Sequence, residues 1–103
     1  MKIFNHAFMP RPGMYVMEQI DQKTFCKEVI NVLPEEAIHA YIGTRRRDLI
    51  KKWIGVPLKA CQEDIVLENN EVILVFEMNF KAKVKNETLY LPEYTFYKIQ
   101  YKE

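Results

Sequence analysis

The sequence predicts a single compact α+β domain, α/β in the broad sense, with a mixed sheet of about five or six strands and two main helices. Three observations lead there. The chain has 103 residues, within the common size of one domain and too short for two cores. It is 49% hydrophobic and 13% aromatic with only three glycines, a composition that folds rather than stays disordered. Two segments carry apolar residues at helical spacing, and the others alternate or run apolar as strands do.

In order, Ile3 to Met9 reads as a first strand, ended by Pro10-Arg11-Pro12-Gly13, and Met14 to Ile20 as a second that pairs with it in a hairpin. Asp21 is an N-cap for a helix through about Val32, with Phe25, Val29, Val32 and Leu33 on one face and Pro34 as its stop. Glu35 and Glu36 form a connector, and Ile38 to Ile42 is a short strand. Thr44 reads as the cap of a second helix, Arg45 to Ile54, whose apolar side is Leu49, Ile50, Trp53 and Ile54. Gly55 ends that helix and Pro57 prevents its resumption. Asp64 to Leu67, a turn at Glu68-Asn69-Asn70-Glu71 and Val72 to Phe80 read as a hairpin. Val72 to Phe76 is apolar on both faces, so it is either an interior strand covered on both sides or one that meets a partner subunit. Tyr94 to Tyr101 alternates as a last strand.

The formal charge of +1 lacks the basic excess of a general duplex binder, so affinity for phosphate must come from a local cluster and no long nucleic acid is expected. Cys26 and Cys61 fit reduced, half-buried thiols, since their spacing is not that of metal ligands. No run approaches the roughly 18 apolar residues of a membrane span, which predicts a cytoplasmic protein with no membrane partner.

The stretch Ala40-Tyr41-Ile42-Gly43-Thr44-Arg45-Arg46-Arg47 breaks a local rule. A helix N-terminus carries partial positive charge and favours acidic residues, yet three arginines stand there. Open N–H groups, a helix dipole and guanidinium forks together make an anion site. The plainer reading is a solvated surface helix. No triad, paired carboxylates, Gly-rich phosphate loop or metal cluster is written in consecutive residues, so neither a metal nor a cofactor is expected. His6 and His39 are the groups that titrate near neutrality. A lone histidine is more often structural than catalytic, and His39 has sheet-core neighbours. Lys81 and Lys83 would share one side of a strand, as a phosphate-facing rim or as a solvated edge.

Ile3-Phe4-Asn5-His6-Ala7-Phe8 with Pro10, Pro12-Gly13 and Tyr15, then Tyr41-Ile42-Gly43-Thr44 opening a helix that ends Trp53-Ile54-Gly55-Val56, resembles the small viral anti-CRISPR ring nucleases in layout. The resemblance implies a homodimer that holds a cyclic oligoadenylate, tetra-adenylate as first guess, and cleaves it without metal. Asn5 matches the asparagine after that family's first strand, and Ile42-Gly43 the start of its Ile-Gly-His motif. Thr44 stands in place of the motif's histidine, Gln62 about where an arginine is usual, and Lys83-Val84-Lys85-Asn86-Glu87 lacks a clear acidic equivalent. The expectation is therefore a ring nuclease with rearranged residues. His6 is proton donor, Arg45 and Arg46 hold the scissile phosphate, and Asn5, Gly43, Thr44, Arg47, Lys81 and Lys83 contribute to ligand binding. Its alternatives are a sponge that binds the messenger without cutting it, and a homo-oligomeric interaction protein using Tyr90, Tyr94, Phe96, Tyr97 and Tyr101.

Overall fold

A short interior strand joins the parallel and antiparallel parts of the sheet. A computed structural model describes residues 1–5, 12–84 and 88–103, with 80–84 and 88–92 described by backbone alone. In it β1 (Lys2–Phe4) is followed by β2 (Met14–Ile20), helix α1 (Gln22–Val32) and β3 (His39–Tyr41). Helix α2 (Thr44–Ile54), β4 (Val72–Val84) and β5 (Thr88–Lys102) complete the chain. The strand order is β2-β5-β4-β1-β3, with β1 parallel to both of its neighbours and the β2, β5 and β4 ladders antiparallel. A mixed five-stranded sheet with two helices is the α+β class expected from composition and periodicity.

Two expected hairpins do not form. β1 and β2 are separated by β4 and β5, because both edges of β1 are taken by parallel partners. The burial explains the choice. Ile3 and Phe4 are buried, which demands a central position, whereas β2 is largely exposed and suits an edge. The part of the expected first strand beyond Asn5 falls outside the described residues until Pro12. Asp64 to Leu67 is not a strand either, since both edges of β4 are already used by β1 and β5. Its Leu67 and Ile65 instead add to the core on the sheet face away from the helices. The Asn69-Asn70 turn is present, with Asn70 at φ 65° donating its N–H to the Tyr101 carbonyl at 2.8 Å.

Both helices sit on one face of the sheet. Asp21 caps α1, its Oδ1 accepting from the Thr24 N–H at 2.7 Å, and that bond holds its carboxyl below the ordinary value. Phe25 and Val29 of α1 and Ile50 of α2 share a core with Ile3, Ala40, Leu74, Phe76 and Phe96. Gly55 closes α2 in the left-handed conformation, φ 78°, as a glycine at that place should. The opposite face buries Phe4, Leu67, Ile73, Val75, Ile99 and Tyr101. So the doubly apolar Val72–Phe76 run is an interior strand covered on both faces by its own chain. The C-terminal aromatics are likewise spent inside. Phe96 and Tyr101 are buried, while Tyr94 and Tyr97 are half-buried against the two cores. The side chain of Tyr90 lies outside the description.

A close approach fixes one glycine. The Tyr101 hydroxyl donates to the Pro12 carbonyl at 2.8 Å, and a Cβ on Gly13 would overlap the Tyr101 ring and stand 2.9 Å from the Lys102 carbonyl oxygen. Gly13→Ala is therefore expected to lower the unfolding free energy by about 1–3 kcal/mol, the usual cost of overpacking. Urea denaturation of the two proteins side by side measures it.

Candidate functional site

The two parallel strands β1 and β3 end together. Phe4 is in register with Tyr41, so Asn5 and Ile42 leave the sheet side by side, at the carboxyl end of the strands where open α/β sheets commonly bind ligands. α2 begins at that edge. Its N-cap is Gly43 in extended conformation, φ −71° and ψ 169°, with no side-chain cap. The expectation that Thr44 caps the helix is corrected: Thr44 is its first helical residue.

Arg47 explains what the threonine does instead. Its Nε donates to the Ile42 carbonyl at 3.2 Å and its Nη2 to Thr44 Oγ1 at 3.0 Å. The guanidinium lies back over the entry to its own helix, bracing the turn where a capping oxygen would normally stand. Arg47 and Thr44, both expected at a ligand, are thereby engaged with each other. The first helical hydrogen bond runs from the Arg47 N–H to the Gly43 carbonyl at 3.1 Å. The N–H groups of Thr44 and Arg46 lie ahead of it, in the first turn, where no carbonyl of the same helix reaches them. Arg45 is exposed; Arg46 is half-buried, and its Nε is buried with no hydrogen-bond partner among the described residues. Gly43 is exposed, and an added Cβ there would meet nothing within 4 Å.

Of the residues singled out in the sequence, Asn5, Gly43, Thr44, Arg45, Arg46 and Arg47 thus gather at one edge. His6 lies outside the described residues, as do the side chains of Lys81 and Lys83. The backbone of those lysines belongs to the part of β4 that continues past β1. Because Phe4 is level with Val75, Lys81 stands about 17 Å and Lys83 about 23 Å farther along the strand than the position level with Asn5.

A second cluster was not legible from spacing. The chain after α2 docks on the outer edge of β3 through an Ala40–Ala60 bridge and a hydrogen bond from the Cys61 N–H to the Ala40 carbonyl, 2.9 Å. That sets Cys61 beside His39, with Sγ 3.6 Å from Nδ1. Glu63 Oε2 is 3.6 Å from the same nitrogen. Residues 35, 36, 38, 59 and 60 join these three around a cavity of about 260 Å³. Tyr41, two residues along β3 from His39, donates its hydroxyl to the Asp64 carbonyl at 3.5 Å, and that hydroxyl is pushed up to about 12 by burial first, then by Cys61 and nearby carboxylates. Both cysteines are free thiols, and burial raises the pKa of Cys26.

Fold and edge together define an α+β domain in which short parallel strands run into an arginine-rich helix start. No protein-family model matches the chain, and no curated protein matches it either. Among the described residues no helix is long and apolar enough to cross a membrane.

Proposed function

We propose that the chain binds a cyclic oligoadenylate at the Asn5–Gly43 edge and opens the ring without metal, acting as a homodimer. The observation that carries this reading is the β1–β3 register. It places Asn5 beside Ile42-Gly43 at the start of α2, the juxtaposition that the resemblance to ring nucleases requires. Two further features support it. Gly43 adopts a backbone conformation open to any residue and has free space around it, so its lack of a side chain suits close approach by a phosphate. Arg46 carries a buried donor without an acceptor among the described residues, which a phosphate oxygen would satisfy.

In this mechanism Arg45, Arg46 and the first-turn N–H groups hold the scissile phosphate and Asn5 orients the ribose. The ribose 2′-hydroxyl gives up its proton to water as its oxygen attacks the adjacent phosphorus, and the bond to the 5′-oxygen breaks. His6 donates a proton to that departing oxygen, leaving a linear product with a 2′,3′-cyclic phosphate and a 5′-hydroxyl. Positioning and phosphate charge neutralisation supply the rest of the rate. The two-fold symmetry of a dimer suits a small symmetric polyanion.

A second reading, sequestration without cleavage, is favoured by Thr44. Its hydroxyl accepts from Arg47 at the position of the resembled family's histidine, and a hydroxyl so placed does not move protons near neutrality.

Incubation of the pure chain with cyclic tri-, tetra- and hexa-adenylate in chelator, with products separated chromatographically and binding of each ring recorded in parallel, tests both. Linear products bearing the 2′,3′-cyclic phosphate are the expected result. Stoichiometric binding without products establishes the sponge, and failure to bind any ring overturns both readings.

A further inference from the structure

His39, Cys61 and Glu63 each offer one ligand atom, and these atoms all lie within 4.8 Å of one another. We propose that they form a Zn²⁺ site at the outer edge of β3, independent of the nucleotide reading.

The geometry argues for a metal over a catalytic relay. In a nucleophile–base–carboxylate relay the thiol and the carboxylate use opposite nitrogens of the imidazole ring. Here Sγ and Oε2 both approach Nδ1, each at 3.6 Å. One nitrogen cannot serve both partners as a relay, but three atoms converging on a common point are what a cation requires. The size is also right. With Zn–S about 2.3 Å and Zn–N about 2.0–2.1 Å, a tetrahedral angle sets sulfur and nitrogen about 3.5–3.6 Å apart, and nitrogen and oxygen about 3.4 Å. The observed edges lie within about 0.2 Å of these values.

The third edge, sulfur to oxygen, is allowed up to 4.8 Å. Glu63 can shorten it, because its side chain is 75% exposed and free to rotate inward, while His39 and Cys61 are held by β3 and by the Ala40–Ala60 bridge. A thiolate, an imidazole and a carboxylate select zinc over the hard cations calcium and magnesium. Glu35 and Glu36 line the same cavity, adding negative charge that favours a dication. Three protein ligands leave a fourth position for water or a small anionic ligand.

Co²⁺ is the spectroscopic probe, added to the full chain in reducing, metal-free buffer and then displaced by Zn²⁺. The expected result is one equivalent bound, with a thiolate-to-cobalt charge-transfer band and tetrahedral ligand-field absorption. Both are kept in Cys26→Ser, and affinity falls at least a hundredfold in Cys61→Ser and His39→Ala. In the unmodified chain Zn²⁺ should also slow alkylation of Cys61 at least tenfold while leaving Cys26 unchanged, as read by mass spectrometry, so the proposal does not depend on the variants folding. Absence of the band, its survival in Cys61→Ser, or equal alkylation of Cys61 with and without Zn²⁺ overturns it.

Discussion

Replacing Phe76 by alanine is expected to lower the free energy of unfolding by about 3–5 kcal/mol, the range for truncating a buried aromatic. A domain of this size has about 5–15 kcal/mol in all, so the variant should lie at the margin of folding. The reason is position. Phe76 is fully buried in the interior strand β4 and stacks on Phe96 at 5.1 Å with the rings 9° from parallel. It also meets Phe25 of α1 at 5.9 Å, Trp53 of α2 at 5.4 Å and Tyr94 of β5 at 5.7 Å. One ring therefore joins both helices to the sheet, and no single neighbour can move to fill the space it leaves. Phe76→Leu keeps most of the volume and should cost clearly less. Chemical denaturation of the three proteins decides the matter; a loss under about 1 kcal/mol for the alanine variant would mean that the aromatic cluster repacks around the gap.

The second large effect is expected at the helix start. Arg45→Glu together with Arg46→Glu replaces two cations, proposed above to hold phosphate, by two anions at the same edge. Charge-assisted hydrogen bonds are worth about 1.5–3 kcal/mol each, so the double variant should bind a cyclic oligoadenylate about a hundredfold or more weakly, with the helical circular-dichroism signal retained. Reversing only exposed or half-buried side chains, and adding acidic residues where the helix dipole favours them, makes unfolding an unsuitable explanation for the loss. His6→Ala separates binding from chemistry. If His6 is the proton donor, the variant should slow turnover about a hundredfold with binding largely intact, and a change under about threefold removes it from the mechanism. Unchanged nucleotide binding in the arginine variant would move the site elsewhere.

Much of the fold was legible because local chemistry and tertiary context agree. Asp21 caps α1, Gly55 closes α2, and Phe25, Val29 and Ile50 point where helical spacing says they should. What spacing did not reveal was pairing. Ile3-Phe4 and Ile65-Val66-Leu67 are both short apolar runs. Which becomes a central strand depends on competition for the edges of β4, a non-local property that no window of sequence contains. At the candidate site, Asn5 meets the Gly43 turn because β1 lies beside β3, again a pairing between segments far apart in the chain. The capping assignment failed for a different reason. Thr44 is a suitable cap by type, but Gly43 takes the extended cap conformation and Arg47 claims the hydroxyl. The His39–Cys61–Glu63 cluster was missed because 22 residues separate His39 from Cys61 in the chain, and only the docking of the segment after α2 onto β3 brings them together.

The register has a consequence for the order in which the molecule assembles. β4 and β5 are joined across Val84 and Thr88, whereas β2 finds its partner by pairing Met14 with Lys102. Between these two closures the loop lengthens by about five doublings, an entropic difference of about 3 kcal/mol at about 0.6 kcal/mol each. The β4–β5 ribbon is thus the inexpensive nucleus, and β1 can be gripped on both sides only after that ribbon and β3 have both arrived. β1, one strand in from the sheet edge, is thus enclosed only after its two neighbours, so its contacts are expected to weigh more on the unfolding rate than on the folding rate.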